Sequence, residues 1–427
     1  MSRIPAFLLL TAFFVLASCP SPAYSVLTHE QIVDFLWRSD IESILLKRFP
    51  ATTPEQLETA HAYAYGGCLV QDMGYYPGGN KFFSDLVHYV RSGDFVSSLI
   101  LQAQDVNELA FALGALAHYA SDITGHPTIN RAVALEFPRL RKKYGDQVTY
   151  AEDPISHIQT EFGFDVLQVA QHRYTSQAYH DFIGFQVAQS LLERAFFSTY
   201  GIPLSQVLTH EDLAMGSFRH DVATWMPRLT QVALITKKDE LKNLPHFDPK
   251  KFRYILKRSE YEKEWGNNYH HPGLFAHILA VIVKILPKVG PLRALNIKPP
   301  TAQTEKMYIR SVESTVAVYR EELHRVSDRQ LALEEKDLDT GQLTSAGEYK
   351  LADRAYARLL KQLARQNFSR ITPALRANIL TFYGDLGRPF ETKRHRDDWQ
   401  EVLRNLDALK DHSSDVPVAD SRKPTSQ

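Results

Sequence analysis

Apolar residues recur at three- and four-residue spacings along most of this chain, and strict alternation is scarce. From Glu30 to Phe49, the residues Ile32, Val33, Leu36, Trp37, Ile41, Ile44 and Leu45 fall at helical spacing. Thr53-Pro54-Glu55 reads as the start of another helix, with Thr53 capping and Pro54 in the first turn, and the run continues through His61 toward Asp72. Pro77-Gly78-Gly79-Asn80 is a loop, and residues 81–89 form a short helix carrying His88. Asp105-Val106-Asn107-Glu108 has the form of a capping box ahead of the helix that carries His118. Asp153-Pro154 opens a helix with His157 and Glu161 on one face. Residues 181–200, 213–241, 305–326 and 345–367 are further helical stretches. No hairpin dipeptide joins alternating runs, and no Gly-rich phosphate loop or fixed-period repeat is present. The pattern predicts an all-α fold of packed helices with side chains projecting into a shared cleft.

The character changes after about residue 244. Residues 246–269 are polar and loop-rich, and Pro299-Pro300 breaks the chain. Leu274 to Leu286 is strongly apolar but interrupted by His277 and Lys284, and it is too short to span a membrane. It reads as a buried helix, with an interfacial membrane-contact helix as the second reading. Residues 413–427 have no apolar face and read as a disordered tail.

Composition narrows the classes. With 427 residues, 44% of them hydrophobic, the chain can bury a substantial core in one large domain or two ordinary ones. Forty-nine Lys plus Arg balance 49 Asp plus Glu, so no global basic field points to nucleic acid and no acidic excess to disorder. The first residues have the form of an export signal: Arg3, then an apolar stretch from Ala6 to Ala17. Cleavage after Ala23 leaves Tyr24 first, cleavage after Ser25 leaves Val26, and Leu16-Ala17-Ser18-Cys19 fits a lipoprotein signal with Cys19 as anchor. Of two cysteines, Cys19 leaves or is lipidated, and Cys68 reads as a small buried residue without a disulfide partner. An exported protein without disulfides needs another source of rigidity, and bound metal is one.

The chemistry concentrates in ALAHYASDITGHP, residues 115–127. His118, Asp122 and His126 are four residues apart, one above the other on a helix face, and Pro127 ends the run. Leu113, Leu116 and Ala117 make this an apolar neighbourhood, where a carboxylate between two imidazoles needs a counter-charge that a cation supplies. Zinc takes such N and O donors. His157 and Glu161 repeat the spacing, and His29, Asp72 and His88 lie upstream. His61 reads as a core or surface residue in the main and as an outer partner of the site in the alternative. Tyr63, Tyr65, Tyr75 and Tyr76 crowd the Asp72 segment as core or as pocket lining.

In order, the candidates are His29, Asp72, His88, His118, Asp122, His126, His157 and Glu161. This ordered set resembles the zinc-dependent phospholipase C family, which shares a superfamily with the S1/P1 nucleases. It is also similar to the catalytic domain of glycosylphosphatidylinositol-specific phospholipase D. The resemblance covers residues 24 to about 170 and implies an all-α phospholipase C/P1 nuclease-like domain with three zinc ions. By motif position, Asp72, His88, His118 and Asp122 hold one ion, and His126, His157 and Glu161 a second. Asp122 bridges to a third, held with His29 and the free amine and carbonyl of Tyr24. Such a site favours cleavage after Ala23 and conflicts with lipidation at Cys19. Asp72 is the candidate general base.

The expected organisation is a signal peptide over 1–23, a catalytic domain over 24–245, a helical C-terminal region over 246–412, and the tail over 413–427. The expected protein is a secreted or periplasmic zinc phosphodiesterase of phospholipase C type. Its expected substrate is a phospholipid or other phosphodiester, with peripheral rather than spanning membrane contact. A zinc nuclease or 3'-nucleotidase is the close alternative, which the neutral charge disfavours. A non-catalytic zinc-stabilised helical binding protein is the reading from another class.

Overall fold

A computed structural model describes residues 25–76, 78–170, 185–220, 222 and 298–412. The expectations for the signal peptide, Tyr24, Leu274 to Leu286, the tail and most of 213–241 lie outside the described residues. Among those described there are fourteen α-helices and no strand, only one isolated bridge between Lys336 and Leu343. The all-α expectation holds.

In the first half of the chain these are α1 (Val26–Leu36), α2 (Glu42–Arg48), α3 (Pro54–Gly67), α4 (Lys81–Tyr89), α5 (Ser92–Gln102), α6 (Val106–Glu136), α7 (Pro138–Tyr144) and α8 (Pro154–Ala170). Then come α9 (Gln189–Tyr200), α10 (Glu211–His220), α11 (Ala302–Ser327), α12 (Lys350–Arg365), α13 (Pro373–Phe382) and α14 (Arg396–Asp411). The helical run from Glu30 to Phe49 is divided by a π turn at Trp37–Ile41, which separates α1 from α2. Thr53 starts α3 as expected: its hydroxyl accepts from Gln56 N at 3.3 Å and Gln56 returns a bond to Thr53 N at 2.9 Å. That helix stops at Gly67, however, and Asp72 sits on a separate 3₁₀ segment, Val70–Tyr75.

The centre of the molecule is α6. From Leu109 through Asp122 every residue is buried, as expected of a helix apolar on all sides. Its small residues let neighbours approach. A Cβ at Gly114 would overlap the carbonyl oxygen of Ala64, and one at Gly67 the carbonyl of Phe111, so α3 and α6 meet backbone to backbone. Gly114→Ala therefore forces the two helices apart, because the obstructing atoms are backbone. We expect a destabilisation of about 1–3 kcal/mol from overpacking, read as a lower urea midpoint for the metal-free protein. An unchanged midpoint would contradict this close packing.

Pro127 does not end the helix. α6 runs on to Glu136 with Pro127 inside it. The proline removes the hydrogen bond to the carbonyl of Ile123. At that carbonyl the chain of Gly341, φ 69°, packs so closely that a Cβ would overlap it. The break is thus covered by another segment rather than exposed.

On one flank of α6 lies α11, where the Tyr319 hydroxyl donates to the Leu113 carbonyl at 2.9 Å and the Thr124 and Thr315 hydroxyls are 2.5 Å apart. Further on, α12 packs against α4 and α14. Buried apolar residues from Val26 to Leu409 form a single cluster, so the described C-terminal helices share a core with the N-terminal ones. No described helix is long and apolar enough to cross a membrane.

Candidate metal centre

Five segments bring the donors together. α1 supplies His29, the 3₁₀ segment Asp72, α4 His88, α6 His118, Asp122 and His126, and α8 His157 and Glu161. All eight side chains are buried. Three groups of donor atoms are close enough to hold an ion: His29, His118 and Asp122; Asp72, His88 and His118; and His126, His157 and Glu161.

Asp122 is the hub. Its Oδ1 lies 3.6 Å from His29 Nε2, and its Oδ2 lies 3.0 Å from His118 Nε2, 3.5 Å from His88 Nε2 and 3.8 Å from His126 Nε2. Asp72 Oδ1 is 3.4 Å from His88 Nε2. These separations suit atoms that share a small cation. Yet Asp72, Asp122 and Glu161 make no well-aligned hydrogen bond through any carboxylate oxygen, and neither do His118 Nε2 and His157 Nδ1. Buried acceptors left this way demand an explanation, and a cation among them gives one.

The remaining ring nitrogens are tied outward. His88 Nδ1 donates to the Ser84 carbonyl at 2.8 Å and His118 Nδ1 to the Cys68 carbonyl at 2.9 Å. His157 Nε2 meets Asn130 Oδ1 at 2.8 Å, which assigns its proton to that nitrogen and turns the Nδ1 lone pair inward, 2.5 Å from Glu161 Oε1. Outer partners of this kind fix tautomer and ring orientation at metal sites. Cys68 takes part through its backbone; its thiol is buried and contacts Tyr65 O at 3.3 Å.

Electrostatics divide the cluster in two. Burial lowers the basicity of His118, but the Asp122 and Asp72 carboxylates override it and hold the imidazole up at about 9. His88 is raised for the same reason, its burial opposed mainly by Asp72. Burial pushes His157 down to about 3, and burial with the neighbouring imidazoles pushes His126 well down. Burial raises Glu161 strongly, reinforced by Asp72, Asp122 and Asp339, and it also raises Asp122 against the pull of His118. The metal-free cluster thus holds protons on some donors, while His126 and His157 stay neutral and ready to ligate.

Three supporting residues escaped the sequence reading. Asn130 stands four residues after His126, and Asp165 four after Glu161, so both continue legible columns. Asp165 accepts from Leu27 N at 2.9 Å and from the Thr28 hydroxyl at 2.6 Å, pinning the first turn of α1 beside His29. The third is Asp339, whose Oδ1 lies 3.4 Å from His126 Nε2. No local pattern marks it. His61 is not among the donors; it stacks on Trp37 at 3.8 Å and pairs with Asp34 at 2.9 Å. Tyr65 hydrogen-bonds Asp34 at 2.5 Å and Tyr76 packs edge-on against Phe218, so both are structural. Tyr75 instead faces the site, its ring 6.1 Å from His88 and 6.2 Å from Tyr150, which in turn is 6.0 Å from His157.

Among the described residues, this all-helical arrangement sets three adjoining His/Asp/Glu groups that could hold metal ions. Residues 28–210 match the family model described as zinc dependent phospholipase C, and all eight donors fall within that span. Over that span the chain is similar to zinc-dependent phospholipase C domains. No curated protein and no solved structure matches the chain.

Proposed function

We propose that the protein is an exported zinc phosphodiesterase that hydrolyses phospholipid phosphodiesters in the manner of a phospholipase C, using three zinc ions. The observation that carries this reading is the convergence of His29, Asp72, His88, His118, His126, His157 and Glu161 around Asp122 in a family domain named for zinc and phospholipase C. Asp72, His88, His118 and Asp122 would hold one ion, and His126, His157 and Glu161 a second. His29 and Asp122 would hold a third, together with the amine and carbonyl of Tyr24. Bound zinc supplies Lewis acidity toward the phosphoryl oxygens and a water that ionises near neutral pH.

The protein's own groups do the rest. Asp72 has a buried carboxylate, neither oxygen of which makes a well-aligned hydrogen bond, and it accepts the proton of the attacking water. Tyr75 and Tyr150 flank the cluster, with Lys81 Nζ, which is paired with Asp85, 5.3 Å and 5.9 Å from their ring centres, so an aromatic rim borders the place of a phosphodiester. Export follows from the signal-like first 23 residues, with a secreted or periplasmic destination. Cleavage after Ala23 is supported by the buried start of α1, where Ser25 and Leu27 bond to Asp165 one turn before His29.

The test is hydrolysis of phosphatidylcholine, a chromogenic phosphodiester and single-stranded nucleic acid by the zinc-loaded mature protein, with N-terminal sequencing of the same sample. Release of phosphocholine is the expected result. Turnover of nucleic acid alone would transfer the site to the nuclease branch. No turnover with zinc bound would leave a binding protein, and lipid on Cys19 would remove Tyr24 from the site.

A further inference from the structure

We propose that Asp339, supplied by the C-terminal region, is a further ligand of the ion held by His126, His157 and Glu161. The assignment rests on the metal reading above and adds a donor from outside the span 28–210.

Asp339 is buried, and its position is specified from every side. Both tyrosine bonds to the carboxylate fall on Oδ2, from Tyr89 at 2.8 Å and Tyr349 at 2.5 Å. Its amide donates to Asp337 Oδ1 at 2.9 Å, and its carbonyl accepts from Asn130 Nδ2 at 2.9 Å. Asn130 is also the residue that orients His157, so one side chain aligns a histidine of this group and the backbone of Asp339. The surrounding loop is closed by the bridge between Lys336 and Leu343 and fastened to α4 by Leu338 N donating to the His88 carbonyl at 3.2 Å. Gly341 anchors it at the Pro127 break in α6. A loop tied to both α4 and α6 holds its one inward carboxylate oxygen, Oδ1, next to His126.

Two arguments turn this proximity into a ligand. Neighbouring donors on one tetrahedral zinc, each bonded at about 2.0–2.2 Å, lie about 3.4 Å apart, and Asp339 Oδ1 stands 3.4 Å from His126 Nε2. Charge gives the second. His126, His157 and Glu161 carry a single carboxylate, so a divalent ion there keeps an excess positive charge in a buried place; a second carboxylate neutralises it.

Two variants test the assignment. Asp339→Asn, titrated against a chromophoric zinc chelator, is expected to bind one equivalent about 10- to 100-fold more weakly, a loss of the size that altering a metal site's donor surroundings brings. Tyr349→Phe removes one hydrogen bond from the same carboxylate but leaves its charge, and it should weaken zinc binding less than Asp339→Asn does. Asp339→Cys loaded with Co²⁺ should show a new near-ultraviolet thiolate-to-cobalt band, which Cys68, already buried elsewhere, does not give in the wild type. Unaltered zinc affinity in Asp339→Asn, or no new band in cobalt-loaded Asp339→Cys, overturns the ligand assignment alone. A wild type that takes up neither zinc nor cobalt overturns the metal reading beneath it.

Discussion

Asp122→Asn is expected to lose both phosphodiesterase turnover and bound zinc, more completely than substitution of any other donor. Its two oxygens face four imidazoles, those of His29, His88, His118 and His126, at 3.0 to 3.8 Å. No other donor reaches so many partners, and it is the residue that makes adjoining groups into one cluster. The amide is nearly the same shape but carries no charge, so it cannot bridge two cations. A metal ion contributes several kcal/mol of transition-state stabilisation, and each 1.36 kcal/mol is a factor of ten in rate. Turnover of a chromogenic diester should therefore fall by about a thousandfold or more, with metal analysis giving fewer ions per chain. The packing of α6 should survive, since the amide keeps the carboxylate's shape, but stability should fall because the buried His118 loses its charged partner. Full zinc content with near-normal turnover in Asp122→Asn would dismiss the bridging role.

The donors are legible in the sequence for a simple reason. A helix stacks every fourth residue, so His118, Asp122 and His126, and separately His157 and Glu161, declare a shared face through their spacing alone. Capping residues at Thr53, Asp105 and Asp153 similarly announce the helix starts, because satisfying the first amides is a local matter. What is not legible depends on contacts across the chain. Pro127 is a helix breaker by local rules, yet α6 continues through it, and Gly341, more than two hundred residues away, packs over the Ile123 carbonyl. Asp339 lies in a segment with no apolar periodicity and reaches His126 only because Tyr89, Asn130 and Tyr349 converge on it. The π turn at Trp37–Ile41 is equally silent in the sequence, where the apolar spacing across it reads as one continuous helix.

Removing the zinc should lower thermal stability, and by more as the pH rises. Consider the metal-free protein first. His118 is raised to about 9 when folded and titrates near 6.5 when unfolded. Its contribution is fully present below about 6.5 and lost as the pH rises through 9. Glu161 and Asp122 are also raised, by burial, so they too favour the folded state less as pH rises above the usual carboxylate range. His126 and His157 are lowered and act oppositely, but only below about 6.5, where the unfolded chain takes up protons that the folded cluster refuses. Above 6.5 the raised groups alone remain, so the chelator-treated protein should melt at progressively lower temperature from pH 6.5 to 8.5. Zinc must displace the proton on His118 and those held by the carboxylates, so its affinity rises over the same interval. Free zinc at a thousand times its dissociation constant stabilises by about 4 kcal/mol per site. At roughly 2 °C per kcal/mol for a large domain, each filled site raises the midpoint by about 8 °C. Differential scanning calorimetry with and without zinc should therefore record a gap that widens from pH 6.5 to 8.5, accompanied by proton release on zinc binding in weakly buffered solution. A gap independent of pH, with no protons released, would mean that the ion does not replace the protons of this cluster and is bound elsewhere.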